Sequence, residues 1–457
     1  MALGNMFRHE KPDVISEPDG ETHPASNEDF EKAGPMAYDD EEDHATQYID
    51  PIMEKRVRRK IDLNVMPLVM ALYLLAFLDR SNIGGLVATV QAAAKSWSAM
   101  MALRFFLGVA EAGFGPGVLY YLSFFYLRNE IGFRCGLYAA AAPLATTFAG
   151  ALAYGITSGH AHFANWRLLF LVEGLPTVVM AAVAFFFLPD SPSKARFLNE
   201  EEKKIAVARG VRQAGKAYRV GGIEWKDVGA TFLDPKAWFT ALMYFSCNVS
   251  FSSLPVFLPT ILKEMGFTAV NAQGLTAPPY ALSFLVTVTT TYIADKTQQR
   301  GIMVMILSAI GGVGYIMLAV TKSVGARYTG VFLAAAGIFP SLANIIPWGS
   351  DTRRGSGIII LNLIGQCGPL LGTRMYPAKQ GPYYVKGMSV CAAFMFFTTL
   401  LALGLRTLLW WENKKLNKQY GTVEDQKARA AVAELRGERA DNMIAVENYG
   451  PMYRYVL

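Results

Sequence analysis

The sequence predicts an all-α membrane protein that crosses the bilayer many times. Of its 457 residues, 52% are hydrophobic and only 18% are charged, whereas a soluble chain carries about 25% charged residues. A helix needs roughly 20 mostly apolar residues to cross a hydrocarbon core about 30 Å thick. Ten stretches meet that requirement: 65–84, 100–126, 135–157, 167–189, 237–260, 274–294, 302–320, 328–348, 356–373 and 386–411.

This composition also excludes other classes of protein. A soluble enzyme is not the first interpretation, and the pI of 8.9 comes from scattered cations rather than from one basic face that could bind nucleic acid. The four cysteines lie in or beside apolar stretches, so we expect neither a disulfide framework nor a metal cluster. No prosthetic group or other cofactor is implied.

Polar segments divide the apolar stretches into a group of four and a group of six. The first 50 residues hold 14 Asp and Glu against 3 Lys and Arg, a balance typical of a disordered tail. Segment 190–236 carries 10 Lys and Arg, and we predict a surface helix within it from Glu200 to Arg212. The piece Leu86 to Ala94 is apolar but too short to span. The predicted organisation is an acidic tail (1–54), a first helical bundle (55–189), a cytoplasmic loop (190–236), a six-helix bundle (237–411) and a second tail (412–457).

The distribution of cations predicts the orientation. If both termini are cytoplasmic, the inner segments hold 25 Lys and Arg and the outer segments hold 8. Because cytoplasmic loops carry an excess of these residues, we predict a multi-pass protein, monomeric and surrounded by lipid, with both termini in the cytoplasm.

Five sequence motifs resemble those of a known family. They are LAFLDRSNIG (75–84), RFFLGVAEAGFGPG (104–117), ANWRLLFLVEGLPT (164–177), FLPDSP (187–192) and IADKTQQRG (293–301). Together they are similar to the major facilitator superfamily, and more closely to its anion:cation symporter branch, the fungal allantoate and nicotinate permease type. The resemblance implies two six-helix bundles around a central cavity and the movement of small organic anions with protons.

The chain departs from that family pattern at two points. Compared with it, the second span and the first part of the third are missing after Gly84, and the loop at Trp348 to Gly349 is several residues short. We therefore expect a first bundle of four spans rather than six. A mispredicted gene or a degenerate protein would give the same gaps.

Four charged residues lie within the first two predicted spans. Charges at the centre of a spanning helix cost at least about 2.5 kcal/mol each on insertion scales, so they normally face a cavity or a partner. Asp79 and Arg80 lie in the first span, and Arg104 and Glu111 lie in the second. The resemblance implies that Asp79 and Glu111 carry protons and that Arg80 contacts a substrate carboxylate. Arg104 is a further candidate for substrate binding. The alternative is that these residues only hold helices together.

Further candidates lie in the second half of the chain. Asp295, Lys296 and Arg300 match the second copy of the family's gating loop, although a plain cytoplasmic turn would have the same residues. Polar residues within the later spans could line the cavity and select the ligand, or could only join helices: Tyr244, Asn248, Tyr280, Asn344, Asn362 and Gln366. Glycines at 108, 113, 115 and 117 permit either close helix packing or a bend.

The sequence therefore predicts a secondary active transporter that takes up a small organic anion, such as a carboxylate vitamin or a ureide, with protons across the plasma membrane. The proton gradient supplies the energy. Efflux of a secondary metabolite and a non-transporting membrane protein are the two alternatives.

Overall fold

The fold is made of helices. The computed structural model describes residues 51–82, 96–158, 165–214, 229, 232–350, 354–425, 428 and 454–457, which belong to one compact unit, Gln47–Leu457. Within these residues no strand occurs. In chain order the α-helices are α1 (Pro51–Asn82), α2 (Trp97–Ala112), α3 (Phe114–Phe125), α4 (Arg128–Ser158), α5 (Asn165–Phe187), α6 (Glu200–Ala214), α7 (Pro235–Glu264), α8 (Ala269–Gly274), α9 (Ala277–Thr297), α10 (Arg300–Val320), α11 (Val324–Ser350), α12 (Arg354–Gly365), α13 (Gly368–Gly372) and α14 (Val385–Tyr420).

Within the described residues, eight of the ten predicted spans each fall mainly on one helix and two fall on a pair of shorter helices. The described helices include six that are long and apolar enough to cross a membrane by length and composition. These six are Pro51–Leu78, Glu130–Ser158, Pro235–Glu264, Arg300–Val320, Val324–Gly349 and Val385–Asp425. The all-α multi-pass prediction is therefore confirmed. The acidic tail before Pro51 and the apolar piece from Leu86 to Ala94 lie outside the described residues.

Two predictions of a continuous span are wrong. Stretch 100–126 forms two helices, α2 and α3, which are interrupted at Gly113. Stretch 356–373 forms α12 and the five-residue α13, with a turn at Gln366 and Cys367 between them. Both interruptions lie just before a proline, which cannot donate an intrahelical hydrogen bond: Pro116 in α3 and Pro369 in α13.

Helix α9 is rich in threonine and is absent from the set of six, yet its threonine hydroxyl groups are satisfied within the helix. The hydroxyl groups of Thr287, Thr290 and Thr291 each donate to the carbonyl oxygen four residues earlier at 2.7 Å. Such local bonds remove the need for water. A low hydropathy in α9 is therefore compatible with the predicted span 274–294.

Glycine permits the close packing of α10 and α11. A Cβ built on Gly337 of α11 would collide with the backbone of Gly311 in α10, and one on Gly314 would collide with the backbone of Ala334. Small residues let helix backbones approach this closely, which increases the van der Waals contact between them. The backbones of the two helices are therefore in direct contact.

Helix α6 is present where a surface helix was predicted, but it is docked rather than free. It buries Glu202, Ala206, Ala208 and Arg209. Lys60 Nζ of α1 donates to both carboxylate oxygens of Glu202 at 2.7 Å. Helix α6 is therefore fixed to the first half by charged contacts.

Candidate functional site

The central cavity lies between helices of the two halves of the chain. Its volume is about 60 Å³, and a water molecule requires roughly 10–15 Å³ on this measure. The cavity therefore has room for a few waters but is far smaller than the 300–1,000 Å³ of typical ligand pockets. Its lining comes from α1, α3 and α4 of the first half and from α7, α11 and α12 of the second half, together with Gln366 of the turn that follows α12.

Amide side chains form the polar part of the lining. Asn248, Asn362 and Gln366 all face this cavity, together with Tyr244. The structure therefore brings together the three amides that the sequence predicted as substrate contacts. The remaining two polar candidates lie elsewhere: Tyr280 packs edge-on against Phe339 with ring centroids 5.5 Å apart, and Asn344 Nδ2 donates to the Pro340 carbonyl at 2.8 Å.

One of these amides also stabilises the interruption between α12 and α13. Asn248 Nδ2 donates to the Gly365 carbonyl at 2.9 Å, and that carbonyl is at the end of α12, where a helix leaves its last acceptors unpaired. Gly365 packs so tightly on Tyr244 that a Cβ would collide with the tyrosine ring. At this part of the cavity wall the helix is interrupted, and the Gly365 carbonyl, which has no partner within the helix, is satisfied by the Asn248 side chain.

Aromatic side chains form much of the remaining lining, and they were not among the residues predicted from the sequence. Tyr73 and Tyr138 lie with ring centroids 4.1 Å apart. Phe77 of the first half meets Phe251 of the second edge-on at 5.6 Å, and Phe251 lies 4.8 Å from Phe339. Tyr73 and Phe77 are four residues apart and therefore share one helix face, but this spacing does not by itself indicate a cavity.

For the four charged candidates, the structure describes the helices to which they belong but not their side chains. Asp79 and Arg80 belong to the last turn of α1, two and three residues after Phe77. Arg104 and Glu111 belong to α2. The side chains of these four residues lie outside the described part of the structure, so their roles remain predictions.

The glycines of α2 and α3 do not show close packing. A Cβ built on Gly108, Gly113, Gly115 or Gly117 would meet no atom of the described residues within 4 Å. Gly113 is where the helix is interrupted, and Gly115 lines the cavity. Among the described residues, nothing packs closely on these glycines, so whether they serve packing or a bend stays a prediction.

The predicted gating loop joins α9 and α10. Arg300 Nη2 lies 3.2 Å from Asp295 Oδ1, and the arginine side chain is only 2% exposed. Both groups lie against Gly132 of α4, because a Cβ there would collide with Arg300 and lie 2.5 Å from Asp295 Oδ1. The structure thus brings Asp295 and Arg300 together where the two halves meet, whereas Lys296 is exposed at the end of α9.

Relatives with known names are transporters. The chain is 33% identical over 353 residues to MFS transporter prlL of Fungal sp. (strain NRRL 50135), covering 74% of this chain and 71% of the relative. It is 26% identical over 480 residues to the high-affinity nicotinic acid transporter of Saccharomyces cerevisiae, covering 90% of each protein.

A solved structure has the same fold. The proton:xylose symporter XylE superimposes with a TM-score of 0.55 at 14% identity, covering 77% of this chain and 83% of that protein. At that identity the similarity shows the fold alone.

The family model of the Major Facilitator Superfamily matches residues 56–373. That match includes most of the chain and both walls of the cavity. The protein is therefore a membrane transporter rather than an enzyme, and it belongs to the Major Facilitator Superfamily.

Proposed function

We propose that this transporter takes up a small organic anion together with protons, by alternating access of the central cavity. The observation that carries the proposal is the cavity itself, which has one wall from each half of the chain and three amide groups on the second. A volume of about 60 Å³ is smaller than that of typical ligand pockets, so we expect the two halves to move apart when a ligand binds. That motion is the one an alternating-access cycle requires.

The lining favours a planar ligand. Tyr73, Tyr138 and Phe251 present aromatic faces or edges, which attract a second aromatic ring by more than its buried area. Asn248, Asn362 and Gln366 offer hydrogen-bond donors to a carboxylate or to a ring nitrogen. The nicotinic acid transporter among the relatives handles such a molecule, a flat ring with one carboxylate. An aromatic or heteroaromatic monocarboxylate is therefore the substrate class that we propose.

Proton coupling would use the four charged residues of α1 and α2. Two acids and two arginines sum to zero charge when all are ionised. If Glu111 or Asp79 takes up a proton, the site becomes net positive, and a carboxylate held by Arg80 or Arg104 restores neutrality. By linkage, the anion then raises the affinity for the proton as much as the proton raises the affinity for the anion.

The gating loop would control which side is open. The Asp295–Arg300 pair contacts Gly132 of α4 across the junction of the halves. Separation of the halves on this side must break that contact, since α4 and α9 belong to different halves. We propose that forming and releasing it accompanies each transport cycle.

Uptake into proteoliposomes tests the proposal. With an acidic exterior, radiolabelled nicotinate or another aromatic carboxylate should accumulate inside, and a protonophore should abolish the accumulation. Glu111→Gln should lose uphill accumulation but retain exchange of labelled for unlabelled anion, whereas Glu264→Gln, which alters an acid of α7 outside the cavity lining, should retain both. Unchanged accumulation in Glu111→Gln would remove this residue from the coupling role. Faster movement outward under the same gradient would favour efflux instead.

Localisation is part of the proposal. We propose the plasma membrane, with both tails on the cytoplasmic face, because 25 of the loop cations fall on that side against 8 on the other. Tags placed before Met1 and after Leu457 should become accessible to antibody only after the membrane is permeabilised. Accessibility of one tag in intact cells would contradict the ten-span arrangement.

One observation favours a second candidate, a chain that has lost transport with part of its first bundle. The alignment with the nicotinic acid transporter has 480 positions but includes only 90% of this chain, which is about 411 of its 457 residues. About 69 positions of the alignment therefore have no counterpart in this chain. Reading the cDNA across the codons of Gly84 and Gly85 distinguishes the candidates. A cDNA that encodes a further span at this point would restore the complete first bundle and favour the transporter. A cDNA that matches the present sequence would favour the chain that has lost transport.

A further inference from the structure

Residues 454–457 lie in a groove at one end of the second half of the chain. The groove is formed by the first turns of α7 and α10, the last turn of α11 and the final turns of α14. Tyr455 and Leu457 pack against the hydrophobic core there. These four residues will be called the tail segment.

The groove binds the tail segment mainly through its backbone. Asn413 of α14 accepts from Tyr455 N at 2.8 Å and donates to Tyr455 O at 2.9 Å, so one amide side chain pairs with both backbone groups of a single residue. Trp348 Nε1 donates to Val456 O at 3.0 Å. Gly301 N donates to Leu457 O at 3.1 Å. Three consecutive tail residues are thus held by backbone contacts, as in other sites that bind extended peptides.

The side chains add contacts at two positions. Lys236 Nζ donates to Tyr455 Oη at 3.0 Å and lies 4.5 Å from the centre of the same ring. Arg454 donates to Asn417 Oδ1 and to the Gly421 carbonyl, each at 2.6 Å. Burial raises the pKa of the Tyr455 hydroxyl above its ordinary value, although Lys236 opposes the shift. The tyrosine is therefore a neutral phenol at physiological pH, and its oxygen accepts a hydrogen bond from the Lys236 ammonium group.

Two N–H groups of the groove, from Trp348 and Gly301, require hydrogen-bond acceptors that the tail segment supplies. The Trp348 side chain is 1% exposed, and a buried indole N–H without an acceptor is costly. Gly301 is in the first turn of α10, where a helix leaves its N–H groups without intrahelical partners. The tail segment supplies acceptors to both groups. A side chain at position 301 would press on Trp348, because a Cβ there would lie 2.9 Å from its ring.

The same turn carries the gating loop. Arg300, which pairs with Asp295 against α4, precedes Gly301 directly, and Gln299 Oε1 accepts from Arg406 of α14 at 3.1 Å. The tail segment therefore joins the turn that contains Arg300 to α7, α11 and α14. A turn held in this way keeps Arg300 in position against Gly132.

We infer that residues 454–457 are an intramolecular peptide ligand of this groove, and that their docking holds the turn of the gating loop and so regulates the transport cycle. Docking stands on the contacts alone. The regulatory step rests on the proposed function, because it requires that the gating loop move during transport.

Hydrogen–deuterium exchange on the purified full chain tests the docking without any transport measurement. In the wild type, the amides of Tyr455 and Gly301 should both be protected. Asn413→Ala removes the two bonds to Tyr455 and should make both amides exchange roughly tenfold faster or more. Asn64→Ala, whose side chain bonds only the Lys60 carbonyl of α1 among the described contacts, is the matched control and should change neither amide.

A second perturbation separates docking from misfolding. Deleting residues 454–457 should expose the Gly301 amide while the centre of α10 stays protected. Adding a synthetic peptide with the sequence of residues 451–457 should restore Gly301 protection, and a scrambled peptide should not. Rapid exchange of Tyr455 and Gly301 in the wild type, or failure of the correct peptide to protect Gly301, would overturn the docking.

Transport then tests the regulatory step. The deletion should change the initial rate of anion uptake by at least about twofold, and the peptide applied to the tail side should return the rate to that of the wild type. An active wild type with an unchanged rate in the deletion variant would overturn the regulatory step alone. An inactive wild type with intact docking would count against the proposed function and not against the docked tail.

Discussion

Arg209→Met should release helix α6 from the first half of the chain. Arg209 donates from Nε to Glu54 at 2.8 Å and from Nη2 to Glu130 at 2.6 Å. The arginine side chain is 3% exposed and that of Glu130 is 9% exposed. Methionine retains an apolar stem of similar length but leaves the buried Glu130 carboxylate with Arg58 as its remaining ion-pair partner among the described contacts.

The expected cost follows from this burial. Removing one partner of a buried ion pair costs about 3–5 kcal/mol. Because Arg58 still bonds Glu130 at 2.7 Å, we expect the lower end, about 3 kcal/mol, which is roughly a 150-fold shift toward the undocked helix. Hydrogen–deuterium exchange of residues 200–214 measures that shift directly, because α6 can detach without global unfolding.

An exposed ion pair provides a matched control for this prediction. Lys194 pairs with Asp190 at 3.3 Å, but their side chains are 70% and 82% exposed, so Lys194→Met should change stability by less than about 1 kcal/mol. Adding Glu130→Gln to Arg209→Met should recover part of the loss, since the stranded carboxylate is removed. If Arg209→Met altered the exchange of α6 no more than Lys194→Met does, the ion network would not be what docks this helix.

Three further outcomes are expected. Gly337→Val should prevent close packing of α10 and α11 and lower the free energy of unfolding by about 1–3 kcal/mol, which thermal unfolding in detergent would measure. Gly325→Ala should be tolerated, because a Cβ there meets nothing within 4 Å among the described atoms. The hydrogen bond from Lys60 lowers the pKa of Glu202 although burial opposes the shift. The stabilisation of α6 docking by this bond is therefore present above the ordinary glutamate pKa of about 4.3 and is lost as pH falls through the lowered value. Hydrogen–deuterium exchange of α6 should become faster on acidification, and this change should be much smaller in Glu202→Gln. Arg80→Lys should weaken anion uptake about ten- to hundredfold in affinity, because an ammonium cannot reproduce bidentate binding of a carboxylate; wild-type affinity at normal membrane abundance would make Arg80 structural.

Hydropathy alone predicted the helices because a bilayer imposes both length and composition on them. The interruptions at Gly113 and after Gly365 were missed, since an apolar run does not show where a helix bends. Glycine and proline were the only signal, and their spacing is equally compatible with packing. At Gly365 the deciding group is Asn248, which lies 117 residues away and satisfies the freed carbonyl.

The candidate site was predicted in part for the same reason. Polar residues within apolar spans are conspicuous, so Asn248, Asn362 and Gln366 could be identified as lining residues. Aromatic residues such as Tyr73 and Tyr138 are not conspicuous in a chain with 12% aromatic residues. The sequence could not place the tail segment in its groove, because its partners Gly301, Trp348 and Asn413 are scattered over three helices.

Similar limits apply to the ion network of α6. Its partners are separated by 72 to 155 residues, and charge patterning within one helix carries no information on contacts at such separations. Only the docking of α6 on α1 and α4 shows that its buried face is charged. A surface helix was a reasonable expectation for a segment with so many charges.

The most direct test of the central claim is proton movement caused by the substrate itself. Proteoliposomes without an imposed gradient would receive an aromatic carboxylate outside, while a pH-sensitive dye reports the external medium. Symport predicts external alkalinisation at a rate that saturates with the anion, is lost in Glu111→Gln and is absent from vesicles without protein. Entry of the anion with no proton movement, or with external acidification, would contradict proton-coupled uptake.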